Sequence, residues 1–98
     1  MPDITIVYWR DIPAQVIVGK GRRAAKIQLP ERFEQAIDRA AMKGGEIDAD
    51  AYLAEWRKVA SGSEEGDQAE LAAKTATGLD TDYDQERLKT LIANDGWA

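Results

Sequence analysis

Four cations crowd one stretch of this chain: Lys20, Arg22, Arg23 and Lys26, interleaved with Gly19 and Gly21. Charge at that density attracts anions, and glycines let a backbone approach them closely. The chemistry on offer is therefore capture of a phosphate or of an acidic partner surface. The spacing is not that of a P-loop, because GKGRR lacks both the GxxxxGKS/T pattern and the hydroxyl that holds magnesium. It also lacks the interleaved aromatics of a platform for single-stranded nucleic acid. The plainer alternative is a solvated hairpin whose charges discourage edge-to-edge strand pairing.

A second constellation is Trp9-Arg10-Asp11. As a recognition edge, Trp9 supplies apolar area and Arg10 a planar donor fork, a pairing found at interface anchors. As architecture, Trp9 packs in the core while Arg10 and Asp11 bond backbone groups at a strand end. Asp80, Asp82, Asp84 and Glu86 fall at two-residue spacing, superficially like a calcium loop, but the glycine required after Asp84 is missing. Acids gathered near a helix N-terminus account for them. Tyr52 and Trp56, one helical turn apart, read as core aromatics rather than a ligand wall.

The 98 residues contain no cysteine and no histidine. Thiolate nucleophiles, disulfides, cysteine-ligated zinc and iron–sulfur clusters are excluded. So are imidazole metal ligands and imidazole general bases. Carboxylate-bound magnesium or calcium and carboxylate-pair hydrolysis stay open in principle, but the acids show no organisation. The expectation is a non-catalytic protein without a cofactor. No run approaches the roughly 20 apolar residues of a membrane span, and the N-terminus carries no signal-peptide pattern, so the expected compartment is the cytoplasm. The net charge of −5 is unevenly spread: residues 1–30 carry +3 and residues 31–98 carry −8. A net acidic chain argues against general nucleic-acid affinity, while the basic segment keeps a local one in play.

The elements that must position these groups follow from periodicity. Ile4–Trp9 is β-branched and aromatic, with both faces largely apolar, as in a central strand. Pro13 should interrupt, and Ala14–Lys20 reads as a second, antiparallel strand. Ala24–Leu29 alternates weakly and reads as a third strand or an irregular lead-in. A helix is predicted over 30–43 from Pro30 at its start, the stripe Phe33, Ala36, Ile37, Ala40 and Ala41, and the Gly44-Gly45 stop. A second, capped by Asp48 or Asp50, is predicted near 49–60 with Tyr52, Leu53, Trp56, Val59 and Ala60 inward. The polar stretch 61–67 reads as an acidic linker or loop, and 68–98 as a helical segment with its last helix capped by Thr81. The fold class is thus α+β: a hairpin or three-stranded antiparallel sheet in a 1–60 core, packed against helices, with looser C-terminal helices.

The text ITIVYWRDIPAQVIVGKGRRAAKIQLPERFEQAIDRAAM, followed by DAYLAEW, resembles the small bacterial "virulence factor" domain family, which also occurs in larger proteins called conserved virulence factor C. The resemblance covers about residues 3–60, with YWRDIPAQV as its most specific part, and YDQERLKTLI is similar to the ending of stand-alone members. Ile27 departs from the family pattern, which has a basic residue there. The resemblance implies no catalytic residues. It implies an association of stand-alone members with one-carbon and corrinoid methyl-transfer systems. The functional expectation is an accessory or protein-interaction module, with Trp9, Arg10, Asp11, Lys20, Arg22, Arg23 and Lys26 as binding residues and an acidic protein surface as partner. Nucleic acid, or another polyanion on the same hairpin, is the alternative.

Overall fold

A central strand needs backbone partners along both edges, and the first strand has them. In a computed structural model describing residues 2–43 and 49–98, β1 (Asp3–Trp9) lies between β2 (Ile12–Val18) and β4 (Trp56–Ser63). The short β3 (Ala25–Gln28) pairs on the far side of β2, giving an antiparallel sheet of order β3-β2-β1-β4. Around it run α1 (Glu31–Lys43), α2 (Ala49–Ala54), α3 (Gln68–Asp82) and α4 (Gln85–Ala93). The fold is α+β.

Register divides the sheet into two faces. Ile4 opposes Val18 and Ile6 opposes Val16, so these four side chains share one face. Ile4, Val16 and Val18 join Phe33, Ile37, Leu71, Ala72, Leu88 and Leu91 in one buried cluster. The alternate positions share the other face: Thr5 opposes Ile17, Ile17 opposes Lys26, and Val7 opposes Lys58. One face is thus packed under helices and the other left open, as antiparallel sheets permit.

Pro13 does not end a strand, contrary to expectation: β2 begins at Ile12 and runs through it. β3 pairs with β2 only from Gln15 onward, so no β3 residue opposes Pro13. The register slips beside it, with Tyr8 opposite Pro13 and Val7 opposite Gln15, leaving Ala14 as the extra residue of a bulge. Arg10 and Asp11 are then a two-residue hairpin loop between the paired Trp9 and Ile12.

The larger correction concerns residues 49–60. The helix stops at Ala54, and Trp56–Ser63 is a strand. Trp56, Val59 and Ala60 therefore form no helical stripe; Trp56 is half-buried, and Val59 and Ala60 are exposed. The helical spacing of Tyr52, Leu53 and Trp56 loses to seven backbone pairings with the free side of β1, from Asp3–Ser63 to Trp9–Trp56. Ser61–Ser63, expected in the linker, complete this strand. The expected stop at Gly44-Gly45 and the Asp48 cap lie outside the described residues, as does the side chain of Tyr52.

Both C-terminal helices start at aspartates. Asp67 accepts from the Glu70 N–H at 3.2 Å, and Asp84 from the Arg87 N–H at 2.9 Å. Thr81, expected to cap the last helix, lies inside α3 instead. Leu71, Ala72, Leu88 and Leu91 are buried in the same cluster as the strands. Leu91→Ala should therefore lower stability by about 2–4 kcal/mol. Helix ellipticity and tryptophan fluorescence should report one coincident denaturant transition, and two separate transitions would show residues 68–98 to be a unit of their own.

Candidate functional site

Trp9 and Arg10 of the Trp-Arg-Asp corner are buried, and Asp11 beside them is half-buried. Trp9 is inaccessible to solvent and Arg10 is only 6% exposed. Arg10 sits at φ +53°, a left-handed conformation that costs an L-residue roughly 1–2 kcal/mol, so its surroundings must hold it there. Its guanidinium lies 4.8 Å over the Trp9 ring and 5.3 Å over that of Trp97. Nη1 donates to the Asp95 carbonyl at 2.5 Å, and Nε lies 3.8 Å from the Glu55 carboxylate. The Arg10 amide donates to the Glu55 carbonyl at 3.2 Å. Asp11 works alongside: one carboxylate oxygen accepts from Arg57 at 2.8 Å, the other from the Ala98 amide at 2.7 Å. This corner ties the end of β1 to the start of β4 and to the last four residues.

Gly96 completes the clasp. Its carbonyl accepts from the Asp11 N–H at 2.9 Å, and it adopts φ +93°. A Cβ there would lie 3.0 Å from Trp9 and 3.2 Å from Arg10.

The basic residues are arranged differently. The turn after β2 passes through Gly19 at φ +99° into a single 3-10 turn, Gly21–Arg23. It places Lys20 and Arg22 at one end of the open sheet face. Lys26 reaches that face from β3, and Lys58 joins from β4 at the opposite edge. Together they line a shallow concavity of about 520 Å³, floored by Thr5 and Ile17. Strands β3 and β4 are three spacings apart, roughly 14 Å, so the cations flank the floor within about two Debye lengths. Lys20 is paired with Asp3 at 3.5 Å. Among the described residues, the side chains of Arg22, Lys26 and Lys58 make no ion pair or hydrogen bond. Arg23 is exposed on the turn and does not line the concavity.

The structure thus brings together Lys20, Arg22 and Lys26 and separates them from the buried Trp9 and Arg10 and the half-buried Asp11. Lys58 is a member that sequence reasoning missed. Its signal was present only if Trp56–Ser63 was read as a strand, since a helix would have sent Lys58 elsewhere. The acid series is structural: Asp80 pairs with Arg32 at 2.6 Å and Asp84 caps α4. Among the described residues, no cluster of three carboxylates could hold a metal ion.

A family model described as virulence factor matches residues 7–92. The chain belongs to the virulence factor family. The match runs from the end of β1 to the end of α4, so sheet and C-terminal helices both fall within the family domain. No curated protein and no solved structure matches the chain. The clasp reaches beyond the matched stretch, because Asp95–Ala98 follow the end of the virulence factor match.

Beside the corner, burial pushes the Tyr8 phenol above its usual range and the neighbouring Tyr83 adds to the rise, while Arg57 and Arg87 act the other way. Folding thus favours the protonated phenol. Its stabilisation is complete below about pH 10 and is lost as pH climbs through the higher folded value. Tyr8→Phe should flatten the alkaline decline in stability, read from denaturant melts above about pH 9. Gly96→Ala should cost about 1–3 kcal/mol and speed hydrogen exchange at the Asp11 amide, through strain and overpacking against Trp9. Unchanged exchange at that amide would show that the tail is not held through Gly96.

Proposed function

We propose that this virulence factor domain is a non-catalytic interaction module that docks an acidic partner surface on its open sheet face. The observation that carries the reading is the concavity lined by Lys20, Arg22, Lys26 and Lys58, with no carboxylate in its lining. Three of these cations have no counter-charge among the described residues. Rigid strands hold like charges together there, on a protein whose net charge is −5. An incoming carboxylate surface relieves that repulsion and gains charge-assisted hydrogen bonds. Mixed charge elsewhere sets the orientation, since an acidic partner is repelled by most of the surface. The half-buried Thr5 and Ile17 give the floor some apolar area to cover. A partner belonging to a methyl-transfer system is a further proposal that rests on resemblance alone.

Binding of poly-glutamate peptide and of duplex DNA to the full chain, at about 50 mM and about 200 mM salt, tests the reading. Poly-glutamate should bind at the lower salt, and Lys26→Glu/Lys58→Glu should weaken it by about tenfold or more, or about 1.4 kcal/mol. Arg23→Glu should change it far less. DNA binding that exceeds poly-glutamate binding and collapses between the two salt concentrations would replace the acidic protein by nucleic acid. No loss in the double variant would remove the concavity as the site.

A further inference from the structure

We propose a second binding site, separate from the sheet face: the groove between α1 and α4, which accepts an acidic amphipathic helix from a partner protein. On α1, Arg32, Gln35, Ala36 and Arg39 fall at the i, i+3, i+4, i+7 spacing that makes one helix face. On α4, Gln85, Leu88, Lys89 and Ile92 repeat the same spacing. These two stripes line one groove of about 350 Å³.

The two walls run side by side in the same direction, and both ends are pinned. Arg32 at the start of α1 donates to the carbonyls of Asp80 at 2.6 Å and Tyr83 at 2.8 Å, just ahead of α4. Lys43 at the end of α1 donates to the Ala93 carbonyl at 3.0 Å and pairs with Asp95 at 3.2 Å, just past α4. The groove is therefore a fixed feature. Each stripe covers eight residues, whose seven rises span roughly 10 Å, the length of two turns of an incoming helix.

Its chemistry is specific. Ala36 and Leu88 are buried and Ile92 half-buried, giving an apolar floor. Arg39 and Lys89 are exposed at the rim, and among the described residues the side chain of neither makes an ion pair or hydrogen bond. The lining contains no carboxylate. Residues 31–98 carry a net −8, so this positive rim opposes the sign of its surroundings and fixes where an acidic helix lands. Apolar side chains at i, i+3 and i+4 of the partner cover the floor, and flanking carboxylates meet Arg39 and Lys89. A small carboxylate would satisfy the rim but leave the floor wet.

The test is a titration of the isotope-labelled full chain, followed by amide chemical shifts. The probe is a synthetic helical peptide with leucines at three- and four-residue spacing flanked by glutamates. A scrambled peptide of equal composition and glutarate serve as controls. The helical peptide should shift amides at residues 35–39 and 85–92 and bind about tenfold or more tighter than the scramble. Arg39→Glu/Lys89→Glu should weaken it by about tenfold, as should Ile92→Ser, while Lys26→Glu/Lys58→Glu should leave it unchanged. Thermal melts confirm that each variant is folded. Equal binding of the scramble, shifts confined to the sheet face, or no shift at all overturns the proposal. Glutarate shifting the same amides and displacing the peptide at equal concentration makes the groove a small-anion site and overturns it too. Failure of the sheet-face variants leaves this result untouched, so the two sites stand or fall separately.

Discussion

A buried guanidinium in a tight turn is the constraint around which the molecule closes. Arg10 occupies a left-handed position in a two-residue hairpin loop, where glycine is the usual choice, and it is almost wholly removed from water. A charge so placed is costly unless it is paired and hydrogen-bonded. Glu55, the Asp95 carbonyl and the rings of Trp9 and Trp97 meet that demand. These partners come from the residue before β4, from the tail and from β1 itself. Satisfying one arginine therefore assembles three distant pieces of chain. Asp11 doubles the link through Arg57 and the Ala98 amide.

Closing that corner has consequences at the other end of the sheet. It helps dock β4 along β1, and with β4 in place Lys58 arrives on the face that already holds Lys20, Arg22 and Lys26. The helices cover the opposite face, where Ile4, Val16 and Val18 require burial. Cations are left on both edge strands, Lys26 on β3 and Lys58 on β4, where they also discourage edge-to-edge association. The same separation of apolar and polar surface operates at α1 and α4. Their inner stripes enter the core, and their adjoining stripes make a groove whose rim is positive.

Net charge alone hides this arrangement. The chain is acidic, yet two concavities carry cations without a carboxylate in their linings. Acids are instead consumed locally, with Asp67 and Asp84 capping helices and Asp80 and Asp95 pairing with Arg32 and Lys43. In these two concavities, what remains unneutralised is therefore positive.

The local elements were legible because their causes are local. Runs of β-branched residues marked β1 and β2, weak alternation allowed β3 as a strand or an irregular lead-in, and the stripe from Phe33 to Ala41 marked α1. The cation cluster could be named from composition and spacing, as could the alternative role of Trp9-Arg10-Asp11 as architecture. Residues 56–63 could not be read correctly, because Trp56 and Val59 fit a helical stripe nearly as well as a strand. The free edge of β1 decided between them. Lys58 and the α1–α4 groove stayed invisible for the same reason, since each depends on elements far apart in sequence. The sequence by itself determined which segments are apolar on one side, that the chain turns at Gly19 and Gly21, and that cysteine and histidine chemistry is absent. Tertiary structure alone decided which cations meet, which strand completes the sheet and what Arg10 grips. Such pairings are set by long-range backbone hydrogen bonding and by the cost of leaving a buried charge unpaired, and neither is encoded in any short window of residues.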